Sequence, residues 1–389
     1  MNIERDITPS IRAVMDAPEV IVVTGLRRTG KTTLMRSLME EIPTDNKLFL
    51  DLENPANRKL FEEANYDRIA DNLRFLGLDL TRRGYLFLDE VQFLRSIPSV
   101  VKYLVDHYRL KCLLTGSAVF YLKNLFSESL SGRKYSFDLH PLSFSEFLRF
   151  KGNPVRLEAM PAQVTEAMHE SVSRWYDEYL LYGGFPGVVL KDAVREKEMM
   201  LDDIFTSYFQ MEVVQLGDFR RTNVIRDLIL LLMERSGSRL DVQKLSKELG
   251  VARETLNNYL SFLEGTYFIT LVRPFSTNRD TEIRSQPKIY LCDTGLMRRF
   301  SRVSDGALFE NAAWLALRQR GRTGYFRKKS GVEIDFVVDG KIAFEIKQKA
   351  DTKDVSRLRQ LATELGLPEY RVVSRRWCAA ENVIYGYQL

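Results

Sequence analysis

The chain has 389 residues, 45% apolar and 28% charged, with a net charge of +5, ordinary values for a soluble globular protein of two or three domains. No apolar run reaches the ~18 residues that a membrane-spanning helix needs, and the start Met1-Asn2-Ile3-Glu4-Arg5-Asp6 lacks the apolar core of a signal peptide. Three cysteines, Cys112, Cys292 and Cys378, lie too far apart for metal spacing or a disulfide framework; these features lead us to expect a cytoplasmic protein with no membrane partner.

Residues 1–142 alternate apolar runs with helical patterns. The runs are "EVIVVT" (19–24), "KLFLDL" (47–52), "YLFLD" (85–89), "KCLLTG" (111–116) and "KYSFDL" (134–139). Near-continuous apolar character predicts strands of a parallel sheet covered by helices on both faces. Cys112 and Cys292 fall in apolar runs and are expected to be buried. Residues 143–218 read as helices, broken once at "GGFPG" (183–187). Residues 219–305 bring a helix "NVIRDLILLLMER" and then two short helices about Leu249-Gly250-Val251, followed by a strand. That spacing fits a winged helix-turn-helix. Arg253, Glu254, Asn257 and Asn258 form the outward face of its second helix, open either to DNA or to internal packing, whereas Tyr259, Leu260 and Phe262 read as core. Residues 306–389 form a smaller α/β unit around "GVEIDFVV" and "KIAFEIKQ". This last segment holds fifteen Lys/Arg against ten Asp/Glu, so the whole positive excess lies there. Such a bias permits nucleic-acid contact without requiring it.

The first run leads into Gly25-Leu26-Arg27-Arg28-Thr29-Gly30-Lys31-Thr32-Thr33, a full match to G-x-x-x-x-G-K-[ST] between a buried strand and a helix. The glycines let the backbone turn its amides inward on phosphate oxygens. The positive end of the following helix adds to that field. Lys31 is expected to reach the β- and γ-phosphates, and the Thr32 hydroxyl to complete a Mg²⁺ shell. The second apolar run to end in acids, "YLFLDEVQ", supplies Asp89 to hold the Mg²⁺ through water and Glu90 to polarise the attacking water. "LLTGSA" offers Thr115 and Ser117; Ser117 is chosen, either as an orienter of water at the γ-phosphate or as the N-cap of the next helix.

In the last segment Asp335 precedes Glu345 by ten residues, and Lys347 follows two further on. Residues two apart on a strand share a face. A hairpin about Asp339-Gly340 therefore converges Asp335, Glu345 and Lys347, with Ile334, Phe336, Phe344 and Ile346 on the opposite, apolar face. This is the D…E-x-K arrangement of metal-dependent nucleases, in which two carboxylates bind Mg²⁺ and a lysine positions water.

"TGLRRTGKTTL", "LFLDEVQ", "LLTGSA", "LSGRKYSFDLHPLSFSEFL", "YGGFPGVV", "KIYLCDTGL", "LFENAAW" and "GVEIDFVV…FEIKQ" occur in that order over almost the whole chain. Together they resemble the prokaryotic AAA-type P-loop ATPases that carry a winged helix and a C-terminal restriction-endonuclease-like domain of the PD-(D/E)XK type. The resemblance implies a P-loop core (1–142) with sheet order 5-1-4-3-2, a helical lid (143–218), a winged helix (219–305) and a nuclease-like tail (306–389). It also implies an arginine finger at Arg133 acting on a neighbouring subunit, and hence a homo-oligomer. "GGFP" resembles a lid loop packed against nucleotide, and reads equally as a plain turn. Glu310 resembles an additional metal-side acid, and Gln348 extends the tail pattern. A lid arginine of the usual AAA type is not found. ATP hydrolysis coupled to a tail acting on duplex or branched DNA is the function expected; the alternative is a nucleotide-dependent scaffold with protein partners and an inactive tail.

Overall fold

Alternation along the first apolar run shows how the amino-terminal sheet is covered. In the computed structural model, β1 (Val20–Thr24) sends Val20 and Val22 into one apolar layer and Ile21 and Val23 into another. The first layer is completed by Ile69 and Leu73 of the helix Tyr66–Phe75 and by Val100, Val101 and Leu104 of the helix Ile97–His107. Leu34, Met35 and Leu38 of the helix Lys31–Glu41 form the second. Spacings of three and four residues put each set on one helical stripe. Each fully buried Leu, Ile or Val side chain contributes roughly 1.5–3 kcal/mol. The structure describes residues 3–117, 132–161, 163–217, 219, 221–276, 282 and 284–389. They divide into two compact units, Met1–His140 with Gly265–Tyr267, and Pro141–Glu264 with Phe268–Leu389.

All five expected strands of the first unit are present. β2 (Lys47–Asp51), β3 (Gly84–Asp89), β4 (Leu110–Gly116) and β5 (Lys134–Asp138) join β1 in the order β2-β3-β4-β1-β5, entirely parallel. This is the sheet order expected from the sequence, read from its other edge. β4 is buried throughout, but β5 leaves Tyr135, Ser136 and Asp138 exposed. An edge strand has a single neighbour, so its apolar composition does not guarantee two covered faces. Because the strands are parallel, Thr24, Asp89 and Gly116 all end at one edge of the sheet, where open α/β sheets bind ligands.

The second unit begins with the helix Phe144–Phe150, started by a reciprocal capping box between Ser143 and Glu146. The helix Glu166–Tyr182 stops at Gly183, whose φ of 74° lies in the left-handed region. Further on, the helices Thr222–Glu234, Val242–Glu248 and Arg253–Gly265 lead into β6 (Ile269–Val272), which pairs antiparallel with β7 (Lys288–Leu291). Tyr259, Leu260 and Phe262 are buried, and Arg253, Glu254, Asn257 and Asn258 are exposed. Cys112 and Cys292 are buried free thiols, and Cys378 is free and half-buried. The last five strands, β8 (Thr323–Arg327), β9 (Glu333–Val338), β10 (Ile342–Lys347), β11 (Glu369–Ser374) and β12 (Val383–Tyr385), form a sheet in the order β12-β11-β10-β9-β8. β8, β9 and β10 run antiparallel in succession; β10, β11 and β12 are parallel. The helix Thr352–Glu364 connects β10 to β11. Asp339 and Gly340, at φ 52° and 64°, make the expected hairpin turn.

"GGFP" is a turn between helices, pinned by a buried acid. Asp293 accepts hydrogen bonds from the Gly184 amide at 2.7 Å and the Leu296 amide at 3.1 Å, and caps the helix Thr294–Phe300. Burial pushes its carboxyl up to about 6 against the pull of these amides. A carboxyl raised in the folded state stabilises fully below its unfolded value, and that contribution is lost as pH rises through the folded value. Asp293→Asn should therefore gain on the wild type by up to ~3 kcal/mol between pH 4 and about 6.5, as read by urea unfolding. A difference independent of pH would show that Asp293 does not titrate in this range.

Candidate active site

The loop after β1 is closed by backbone contacts. Gly25 has φ 154°, and a Cβ there would come within 2.1 Å of the Leu139 carbonyl oxygen. Gly30, at φ 96°, begins the helix Lys31–Glu41, and no side chain caps that helix. Its first amides therefore point into the loop with the helix dipole behind them. Lys31 is buried, with Nζ 2.9 Å from the Gly25 carbonyl oxygen and 3.1 Å from that of Leu26. Thr29 Oγ1 donates back to the Leu26 carbonyl at 2.9 Å. Arg27 pairs with Glu53 at 3.5 Å, and Arg28 takes a left-handed backbone at φ 69°. Thr33 is exposed on the helix.

Asp89 and Glu90 arrive at this loop on β3. The Thr32 hydroxyl donates to Asp89 Oδ2 at 2.6 Å, and the Thr115 hydroxyl donates to Asp89 Oδ1. Burial raises the Asp89 carboxyl above the usual range and Glu90 adds to the rise, while the two hydroxyls and Lys31 oppose it. A hydroxyl and a carboxylate in contact at the end of the loop form an oxygen donor set suited to Mg²⁺. Glu90 is 9% exposed and left-handed at φ 55°, a conformation that costs a non-glycine residue about 1–3 kcal/mol. Gln92 holds it there: its Nε2 donates to Glu90 Oε2 and, at 2.9 Å, to Ser117 Oγ. Ser117 is buried just after β4; the helix it was alternatively expected to cap lies outside the described residues.

Three residues of this first unit were not singled out in the sequence. Arg5 donates to the Thr29 carbonyl at 2.8 Å and to the His140 carbonyl at 2.7 Å, bracing the loop. Tyr267 donates to Asp138, and its hydroxyl lies 2.8 Å from Thr24 Oγ1 at the end of β1. Gln92 completes the set; it lies two residues beyond the acid pair, and that nearness was the one clue available. Arg133, the expected finger, pairs with Asp106 and is half-exposed. It precedes Lys134, the register partner of Val20, so it lies at the end of the sheet away from the loop of its own chain.

The tail brings Asp335, Glu345 and Lys347 together. Lys347 Nζ lies 2.9 Å from Glu345 Oε1, and Asp335 Oδ2 accepts from the Ile346 amide at 2.8 Å. Arg357 also pairs with Glu345, which is 4% exposed. Burial, reinforced by Asp335, raises the Glu345 carboxyl. Its Oε2 is buried without a hydrogen-bond partner. Glu310, expected as a metal-side acid, has its Oε1 accepting from Lys288 Nζ at 3.0 Å and from the Tyr290 hydroxyl at 2.7 Å. Lys288 also lies 2.5 Å from Glu333 and 3.6 Å from Asp335. Burial pulls the Lys288 pKa down, but Glu310, Asp335 and Glu333 outweigh it, and the ammonium is held above its ordinary value. Among the described residues, no three carboxylate, imidazole or thiol side chains are grouped to share an ion. A divalent cation does not fit between Glu310 and Asp335, because the ammonium takes that position. Gln348, expected to extend the tail pattern, donates to the Asp305 carbonyl at 2.7 Å. Lys288 was missed because a lysine heading an apolar strand reads as exposed.

Residues 17–148 match the family described as AAA domain. Residues 173–306 and 305–382 match two domains of unknown function, DUF8612 and DUF4143. An uncharacterized protein of Haemophilus influenzae is 26% identical over 366 residues, spanning 87% of this chain and 86% of its own. One from Methanocaldococcus jannaschii is 25% identical over 366 residues, spanning 90% and 80%. Among solved structures, the Walker-type ATPase of Pyrococcus abyssi is similar with a TM-score of 0.47 and 15% identity, over 77% of this chain and 95% of that one. The Aeropyrum pernix ORC1 protein in complex with DNA gives 0.36 and 12%, over 82% and 95%. Residues 17–148 are thus similar to an AAA domain, and the first unit has an α/β fold with a parallel sheet. Among the described residues, no helix is long and apolar enough to cross a membrane.

Removing the buried ammonium of the loop should cost at least ~2 kcal/mol of nucleotide affinity. Lys31→Ala is therefore expected to weaken ATP binding about 30-fold or more by isothermal calorimetry. An unchanged affinity would place the triphosphate elsewhere.

Proposed function

We propose that this protein is a cytoplasmic, Mg²⁺-dependent ATPase whose nucleotide state governs a nuclease-like tail that engages DNA. The observation that carries the reading is the convergence of Lys31, Thr32, Asp89, Glu90 and Ser117 at one edge of a parallel sheet. Backbone amides of residues 28–33 and the Lys31 ammonium hold the triphosphate. Thr32 and Asp89 hold the Mg²⁺, which neutralises charge on the β- and γ-phosphates. Glu90 accepts a proton from water as its oxygen bonds to the γ-phosphorus, while the bond to the bridging oxygen breaks and ADP departs. Ser117, tied to Glu90 through Gln92, orients that water. Arg133 faces away from its own loop, which supports action on a neighbouring subunit in a homo-oligomer.

The antiparallel β8-β9-β10, the crossover helix and the juxtaposed Asp335, Glu345 and Lys347 support a nuclease-like tail. DNA is favoured as its partner because the net positive charge of the chain resides in residues 306–389. The exposed face of the helix Arg253–Gly265, following a helix and a turn and preceding an antiparallel strand pair, supports the winged-helix reading. A protein partner would bind without the salt dependence that phosphate contacts impose.

Glu90→Gln should keep ATP bound while slowing turnover by about 100-fold or more in a steady-state phosphate-release assay. Unaltered turnover would move the catalytic base to another residue. Mixing Arg133→Ala with Lys31→Ala protein should restore part of the turnover each lacks alone; a mixture as inactive as its components would remove Arg133 from the mechanism. ATP turnover measured with single-stranded, duplex and branched DNA should rise with at least one of them, and a flat response to all three would favour the protein partner.

A further inference from the structure

A cation from outside the tail stands among the tail's acids. Lys288 is 3% exposed, on β7, outside the strands and helices that form the D…E-x-K pattern. Its position is fixed through the backbone, by the pairing of Lys288 with Val272 on β6 and by a bridge to Arg239. Three carboxylates surround the ammonium: Glu333 at 2.5 Å, Glu310 at 3.0 Å and Asp335 at 3.6 Å. Tyr290, two residues on and on the same side of β7, donates to the same Glu310 oxygen at 2.7 Å. The strand thus presents a hydroxyl and an ammonium to the acids, as an ion and its water would.

Charge matching makes the arrangement complete. Glu310, Glu333, Asp335 and Glu345 are four carboxylates; Lys288, Lys347, Arg357 and Arg327 are four cations paired with them, the last with Glu333 at 2.8 Å. A divalent ion would add two positive charges to a cluster whose four carboxylates already face four cations, Lys288 among them buried. It would also need several oxygens at about 2.0–2.6 Å, and Lys288 would have to give way. Buried charges of one sign brought close together are costly. The remaining unpartnered atom, Glu345 Oε2, is a single oxygen and does not make a coordination shell.

We propose that the Lys288 ammonium permanently occupies the cation position of the tail, so that the tail takes no catalytic divalent ion and holds its ligand without cutting it. The inference rests on the nuclease-like reading of the tail and is independent of ATP turnover.

The test is a titration of Mn²⁺ alone into full-length Asp89→Asn protein, in which the acid of the amino-terminal site cannot hold the ion, with bound Mn²⁺ read by electron paramagnetic resonance. The parent should show no site tighter than about 1 mM. Adding Lys288→Gln should create one site at least ten-fold tighter, and Asp335→Asn in that background should abolish it. A parent that binds Mn²⁺ more tightly than this, and loses the ion with Asp335→Asn or Glu345→Gln, overturns the proposal. So does a folded Lys288→Gln protein that gains no site. Thermal unfolding checks that the variant is folded; if it is not, the parent titration decides the proposal by itself. A tail with some other function would still give these Mn²⁺ results, so failure of the nuclease-like reading would appear separately, as an absence of DNA binding in the same proteins.

Discussion

A single carboxylate, Asp89, fixes the geometry of the amino-terminal site. It ends the buried strand β3 and accepts hydroxyl hydrogen bonds from Thr32, across the loop, and from Thr115 on β4. The first residues of the helix Lys31–Glu41 are thereby tied to two central strands at the point where the triphosphate is to be bound. A buried carboxylate that accepts two hydroxyls keeps its place at little cost, whereas one left without partners costs several kcal/mol. The position of Lys31, and so of the loop amides, follows from this tie and from Gly25, which the Leu139 carbonyl leaves no room to replace.

Around that tie the molecule adds long-range braces. Arg5 joins the loop to the end of β5, and Tyr267 closes a triangle with Thr24 and Asp138. Tyr267 comes from the short segment after the helix Arg253–Gly265, so a residue far along the chain reports on the last residue of β1. Gln92 bridges Glu90 and Ser117 and holds the strained Glu90 backbone in register with β4. Among the acids of the tail, Lys288 plays the comparable part for three, Glu310, Glu333 and Asp335, with opposite charge at the centre.

Much of this architecture was legible in the sequence because its causes are local. The strands β1, β3 and β4 are largely apolar runs, and Gly25, Gly30, Lys31 and Thr32 lie within one short loop and the start of its helix. Asp335 and Glu345 were found because a hairpin obeys a period of two around a recognisable Asp-Gly turn. The exposure of β5 has a local sign that the apolar-run reading passed over: Lys134, Ser136 and Asp138 are polar, unlike Val20, Ile21, Val22 and Val23 of the central strand β1. Contacts such as Thr24 with Tyr267 span 243 residues, and no spacing rule reaches so far. Glu310 was read as a metal-side acid because a resemblance supplies residue roles without their partners; the partner that changes its meaning, Lys288, stands on another element.

The central claim is that the amides of the loop after β1 hold a triphosphate. Hydrogen–deuterium exchange of the full chain, with and without Mg²⁺ and ATP, reads those amides directly. The account predicts that exchange across residues 28–33 slows by about ten-fold or more when nucleotide is added, as amides engaged by phosphate oxygens are withdrawn from water. Exchange there that is unchanged at saturating ATP would contradict it.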